Sequence, residues 1–391
     1  MKKLKIRDFG PIASANIDLG KTNIIIGLQS SGKSCVLKTA CYCAWVEKRI
    51  QLAQNDDLFK DGGFMKRLES YYRFQGFVRE DTEIEYETSF VKFSYSHRNG
   101  QFTLKWKTHR WDYRRPKVSY VPSERNMVSM VKDFSQLSSF EYILDFMDEW
   151  DNARHSVAEG LNILNLGLRY KYNESLNDDR IVDDNGATYP LAATSSGIQS
   201  LVPLFVHLDY LDNGLFEKEK KSSLKERRED KGFALNLYRK RYEEKRNNNI
   251  VGDLGYRDSV IIEVTGYSLP FTSKQLADEY LRTYNRYSQT DHIEVFLEEP
   301  ENNLFPSTQC QLVDRIVDSV YRKRNSSCFV ATHSPYVLNH FLEKQLADFR
   351  FFFTHREADG RFSVHTASDE DVQEIYDYGV DMFFSSENYC K

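Results

Sequence analysis

Residues 27–34 read GLQSSGKS, and the reading of this stretch decides the fold. It matches G-x-x-x-x-G-K-[ST] without a break. It follows the apolar run NIIIG and precedes GKSCVLKTACYCAWVEKRI, whose apolar spacing from Val36 to Trp45 is helical. A strand, a glycine-bounded loop and a helix in that order turn backbone N–H groups inward around an anion, helped by the positive end of the helix. In this reading Gly27, Gln29, Ser30, Ser31, Gly32 and Cys35 line a phosphate loop. Lys33 reaches the β- and γ-phosphates of a nucleotide and Ser34 ligates Mg²⁺.

Working outward, LKIRDFGPI and SANIDLG alternate as two half-buried strands ahead of the buried strand NIIIG. Residues 84–122 predict further strands (IEYETSFVKFSYS, QFTLKWK, VSYVP), with HRNG as a hairpin turn. From 127 to 170 the pattern predicts an α-rich part, FEYILDFMDEW and VAEGLNILNLGL being its clearest pieces. Residues 217–249 are dominated by mixed charge and suit an inserted arm. From Ile293 the pattern predicts a strand through IEVFLEE, a helix through VDRIVDSVYRKR and a buried strand through SCFVATHSP.

The second informative stretch is FLEEPENNLFP, residues 296–306, which sets Glu298, Glu299 and Glu301 within four positions at the end of an apolar strand. Like charges this close need a cation or a proton to share, and a nucleotide-bound Mg²⁺ would serve. Glu298 would face the metal, directly or through water, and Glu299 would polarise an attacking water. His333, just past the strand in SSCFVATHSPYVLN, could contact the γ-phosphate or order that water. In LAATSSGIQSLVPL, Thr194, Ser195, Ser196 and Gly197 precede a helix predicted to begin near Ile198, a further candidate anion site.

These four motifs, in this order, resemble ABC-type ATPases, specifically the OLD/RecF/SMC-like branch. EEPENNLFP, THSPYVLN and the run IRDFGPI…ANIDL…NIIIG…SGKS look OLD-like, and the resemblance covers about 200 of the 391 residues. It implies an α/β fold: an ABC ATPase head with an N-terminal antiparallel β-subdomain, a central parallel sheet and a helical signature subdomain. The ATPase domain would comprise 1–208 and 288–391, with 127–208 as its helical part and 209–287 as a charged, helical insertion. The resemblance also implies ATP and Mg²⁺ as cofactors, Glu299 as the base, and Glu298 and Ser34 at the metal. His333 would lie near the γ-phosphate, and Ser195 and Gly197 would act in trans on nucleotide held by a second subunit. Within YVPSERN, Ser123, Glu124 or Arg125 would stand where such ATPases carry a glutamine linking metal to helical subdomain. Fifty-eight residues follow His333, too few for the Toprim nuclease domain of OLD enzymes, so nuclease activity within the chain is not expected.

Composition sets bounds on partners. A net charge of −5 gives no global pull toward nucleic acid. The interleaved WKTHRWDYRRPK, residues 106–117, suits backbone contact and stacking on DNA, but alternation on a solvated sheet face produces it too. Six cysteines without metal-ligand spacing fit a reducing cytoplasm. No apolar run is long enough to span a membrane. The expected role is an ATP-driven switch that dimerises or forms a higher oligomer and controls a separate effector, a nuclease in bacterial anti-phage defence. The alternative is a RecF-like ATPase acting directly on DNA.

Overall fold

The computed structural model describes residues 2–131, 141–157, 159–215, 232–243, 260–323, 326–368 and 370–373. Three short strands come first: β1 (Lys2–Phe9), β2 (Ile12–Leu19) and β3 (Thr22–Ile26). Every residue of β3 is buried, which explains its unbroken apolar character after Asn23. The long helix α1 (Lys33–Ala53) follows, buried on most of its circumference, and then α2 (Gly63–Tyr72). Strands β4 (Val78–Glu87), β5 (Val91–Ser96) and β6 (Gln101–Trp106) form an antiparallel meander turning at 97–100, and β7 (Arg115–Val121) returns to the core.

Helix α3 (Glu141–Ser156) covers the predicted FEYILDFMDEW segment. The expectation of a helix through VAEGLNILNLGL is overturned. That segment holds β8 (Leu161–Asn162) and leads into β9 (Leu168–Asn173), which with β10 (Asp178–Asp183) and β11 (Thr188–Pro190) makes a four-stranded antiparallel sheet. The backbone gives the reason: Gly160, Leu164 and Gly167 all take positive φ (89°, 47° and 65°), which no α-helix accommodates. Trp150 of α3 packs on Tyr170 of β9, ring centroids 5.8 Å apart. Helix α4 (Ser196–Asp209) starts two residues ahead of the predicted Ile198, so that Ser196 and Gly197 lie in its first turn, and is capped by the Ser195 hydroxyl accepting from the Ile198 N–H.

Within 209–287, the helical residues 232–243 pack with a hairpin of β12 (Val260–Val264) and β13 (Tyr267–Phe271) and with α5 (Lys274–Ser288). Phe233, Tyr238, Tyr242, Phe271, Tyr280 and Tyr287 give this part its own aromatic core, which Leu52 and Tyr113 join to the main body. Most of the charged stretch at 217–249 lies outside the described residues. The chain returns through β14 (Thr290–Glu298), α6 (Pro306–Val317), β15 (Ser327–Ala331), α7 (Pro335–Glu343), β16 (Phe349–Arg356) and β17 (Phe362–Thr366).

The main sheet has eleven strands in the order β6-β5-β4-β1-β2-β17-β16-β3-β15-β14-β7. From β6 to β2 it is antiparallel, and from β16 to β7 it is parallel. Strand β17 joins the halves, parallel to β2 and antiparallel to β16. This is the expected α/β architecture with an antiparallel N-terminal part and a parallel centre. Because β15 alone separates β3 from β14, the two chemically loaded strand ends lie about 10 Å apart, two inter-strand spacings. Among the described residues, no helix is long and apolar enough to cross a membrane.

Candidate active site

The loop leaving β3 is shaped by backbone conformations that favour glycine. Gly27 (φ 153°) and Gly32 (φ 90°) both lie in the left-handed half of conformational space. A Cβ on Gly27 would stand 1.8 Å from the Thr354 Oγ1, and one on Gly32 would stand 2.5 Å from the Ile12 Cδ1. The loop's rear is fixed by the Thr354 hydroxyl donating to the Ser31 Oγ at 2.7 Å, whereas Leu28, Gln29 and Ser30 are exposed. Gly32 caps α1 without a side-chain hydrogen bond, leaving the first N–H groups of the helix for a ligand. Lys33 folds back, donating from Nζ to the Gly27 and Leu28 carbonyls at 2.9 and 2.7 Å. Burial pushes its ammonium down to about 8, partly offset by Glu299, Glu301 and Glu298.

The acids at the end of β14 do separate jobs. Glu298 is buried and accepts from the Tyr120 hydroxyl, while Lys38 Nζ stands 3.5 Å from its Oε2. Lys38 lies one helical turn beyond Ser34. A lysine of the chain itself thus stands beside Glu298. Glu299 adopts φ 44°, uncommon for a residue with a side chain, and its N–H donates to the Ala331 carbonyl at 2.8 Å. Its Oε1 is 3.3 Å from the His333 Nε2. Hydrogen bonds from His333 and Asn302 hold its carboxyl below the usual range against the upward push of partial burial. Glu301 accepts from the Thr332 hydroxyl and the His333 N–H, both at 2.7 Å, and among the described residues its Oε2 is buried without a partner. Burial pushes the Glu301 carboxyl up.

The signature segment reaches the same turn. A Cβ on Gly197 would lie 2.8 Å from the Asn303 carbonyl, and the Asn303 Nδ2 donates to the Ser200 Oγ at 3.0 Å. Ser195 and Ser196 themselves are exposed. The structure therefore brings together Lys33, Glu298, Glu299 and His333, and packs the start of α4 against the turn after Glu301. Lys38, Tyr120 and Thr354 belong to the site but were not singled out in the sequence. Lys38 carries a readable signal, being four residues after Ser34 on the same helix. Tyr120 and Thr354 carry none, since strand pairing alone brings them here.

The residues fit a nucleotide and Mg²⁺. Close packing of Gly27 on Thr354 and of Gly32 on Ile12 shapes the loop, the uncapped start of α1 presents N–H groups to an anion, and Ser34 with Glu298 would supply oxygen donors of the kind Mg²⁺ takes alongside phosphate. Among the described residues, no group of three His, Cys, Asp or Glu side chains could hold a metal alone.

No family model matches the sequence, and no curated protein does. Solved structures similar to the chain include an SMC head domain from Thermotoga maritima, at 10% identity and TM-score 0.41, covering 94% of this chain and 98% of that one. An ATP-binding cassette of an ABC transporter in its ADP conformation is 8% identical with TM-score 0.32, covering 98% and 99%. The recombination mediator RecF is 14% identical with TM-score 0.29, covering 94% and 97%.

Proposed function

We propose that the chain is an Mg²⁺-dependent ATPase of the ABC type that works as a nucleotide-driven switch, closing composite sites between two copies and controlling a separate effector protein. The supporting observation is the convergence of a glycine-shaped phosphate loop after β3, His333 after β15 and Glu298–Glu299 at the end of β14, three adjacent parallel strands. Lys33 leaves the Gly27 and Leu28 carbonyls and turns its charge to the phosphates. Ser34 and Glu298 would hold Mg²⁺, which would supply charge neutralisation and polarisation at the γ-phosphoryl group. Glu299, kept anionic by His333 and Asn302, orients the attacking water and accepts its proton. Ser195 and Gly197, at the exposed start of α4, meet the γ-phosphate of nucleotide held by a second copy. Hydrolysis then removes the contact that holds the pair closed. The resemblance to stand-alone ATPases of anti-phage systems favours a nuclease as the effector, in the cytoplasm.

A direct role on DNA has less support. Arg110 lies over Trp106 and Trp111, its Cζ 4.2 and 4.1 Å from the ring centroids, and bonds the Gln54 Oε1. Arg114 pairs with Asp291, Arg115 with the Ser288 carbonyl, and Lys117 with Glu149. The interleaved basic stretch is engaged within the chain.

The test compares the purified parent with Lys33→Ala and Glu299→Gln for ATP binding, turnover and mass by light scattering. Lys33→Ala should lose binding. Glu299→Gln should bind ATP, turn over at least about a hundredfold more slowly and accumulate a closed assembly. Parent-like turnover by Glu299→Gln would remove Glu299 as the base. An unchanged mass with ATP in both parent and Glu299→Gln would remove the composite site.

A further inference from the structure

Arg125 is 1% exposed and carries a full charge into the core. Its Nε donates to the Ser200 carbonyl at 2.9 Å. Its Nη1 donates to the carbonyls of Pro122 and Glu298 at 3.3 and 3.1 Å, and its Nη2 to those of Glu299 and Pro300, both at 3.0 Å. A guanidinium has five N–H donors, and here each meets a main-chain oxygen. Among the described residues no carboxylate pairs with it directly. Burial pushes its pKa down to about 10, and Glu301, Glu299, Glu298 and Glu124 favour the charge from farther off.

The acceptors explain the position. Three are consecutive, Glu298, Glu299 and Pro300, and their carbonyls converge on one point because the backbone reverses through Glu299 at φ 44°. Three converging carbonyl dipoles repel one another, and a left-handed residue with a side chain is strained. A cation at the point of convergence offsets both. The fourth acceptor lies on α4, one turn past Gly197, and the fifth lies at the end of β7.

We propose that Arg125 is the positioning residue that holds Glu299 in its catalytic conformation and ties that conformation to the signature helix α4. The guanidinium fixes the carbonyls on both sides of the Glu299 Cα, so the carboxylate falls beside His333. Because the same guanidinium holds the Ser200 carbonyl, a shift of α4 is passed directly to the turn that carries the base. Asn303, between Gly197 and Ser200, makes a second link from the same turn. The inference rests on the ATPase reading for its kinetic consequence, though not for its structural one.

The experiment therefore has two arms, applied to parent, Arg125→Met and Arg125→Lys. In the first, ATP binding and turnover are measured. Arg125→Met should bind ATP within about threefold of the parent while kcat falls about a hundredfold, and Arg125→Lys, with three donors and the charge retained, should recover part of kcat. In the second arm, amide hydrogen exchange is followed without nucleotide. Amides of 299–304 and 332–334 should exchange at least about tenfold faster in Arg125→Met, while those within β3 and β15 keep the parental rate. Parental kcat with parental exchange in a folded variant would overturn the proposal. Uniformly faster exchange throughout the sheet would also overturn it, since the role would then be general stability. Should the parent hydrolyse no ATP, the ATPase reading fails and the exchange arm alone decides the role of Arg125. If Arg125→Met does not fold, Arg125→Lys carries both arms.

Discussion

Lys33 is charged only below about pH 8 in the free protein, because its burial is incompletely offset by the three acids near it. The sign follows from comparing states. Between about 8 and the ordinary lysine value only the unfolded chain holds this proton, so the group opposes folding below pH 8 and ceases to do so as pH rises through that window. Nucleotide binding has the opposite dependence, since phosphates bind the charged form. ATP affinity measured by calorimetry should be flat below pH 8 and fall by up to about tenfold per unit above it. A flat profile to pH 9.5 would contradict a lowered Lys33. Gly27 gives a second test at this scale. Gly27→Ala drives a Cβ into the Thr354 hydroxyl and should cost at least about tenfold in ATP affinity. The double variant Gly27→Ala/Thr354→Ala should recover part of that loss, and additivity of the two losses would show that the contact is not the cause.

At the scale of elements, α1 connects the phosphate loop to a buried polar cluster at its far end. Glu47 on α1 accepts from the Thr88 hydroxyl at 2.6 Å, between β4 and β5. Burial pushes its carboxyl up to about 7, with Lys2, Thr88 and His292 pulling it down and Glu294 pushing it up. Glu294, paired with Lys2 and bonded by His292, goes the other way, to about 2, despite its burial. Since the folded state holds the Glu47 proton between about 4.5 and 7 and the unfolded state does not, this group's contribution to stability declines as pH rises across that window. Glu47→Gln removes the titration. Its melting temperature relative to the parent should therefore climb from pH 4.5 to 7 and level off above, and a constant difference would show that Glu47 does not titrate there. Elements also show what the sequence discloses. Buried β3, the phosphate loop, the Glu298 strand and the start of α4 are readable because each has a local rule, in apolar runs, glycine spacing or a serine cap. The four-stranded sheet at 161–190 is hidden because Leu161, Ile163, Leu164, Leu166 and Leu168 mimic a helical stripe. Only the positive φ at Gly160, Leu164 and Gly167 tells them apart. Arg125 is visible as a candidate, yet its five carbonyl partners come from three separated parts of the chain and no spacing announces them.

For the molecule as a whole, the order of strands decides when the site can exist. Strand β3, which launches the phosphate loop, pairs with β15 and β16, and the loop itself leans on Thr354. These partners lie some 300 residues further along the chain. A ribosome has exposed residues 22–34 long before it makes anything that can sit beside them, so the nascent phosphate loop has no lateral support through most of synthesis. Local contacts can assemble the β4–β6 meander early, but the nucleotide cradle must wait for nearly the last strand. On the proposed ATPase reading, chains that stop short of β16 would lack the lateral support of the loop and should bind ATP only weakly.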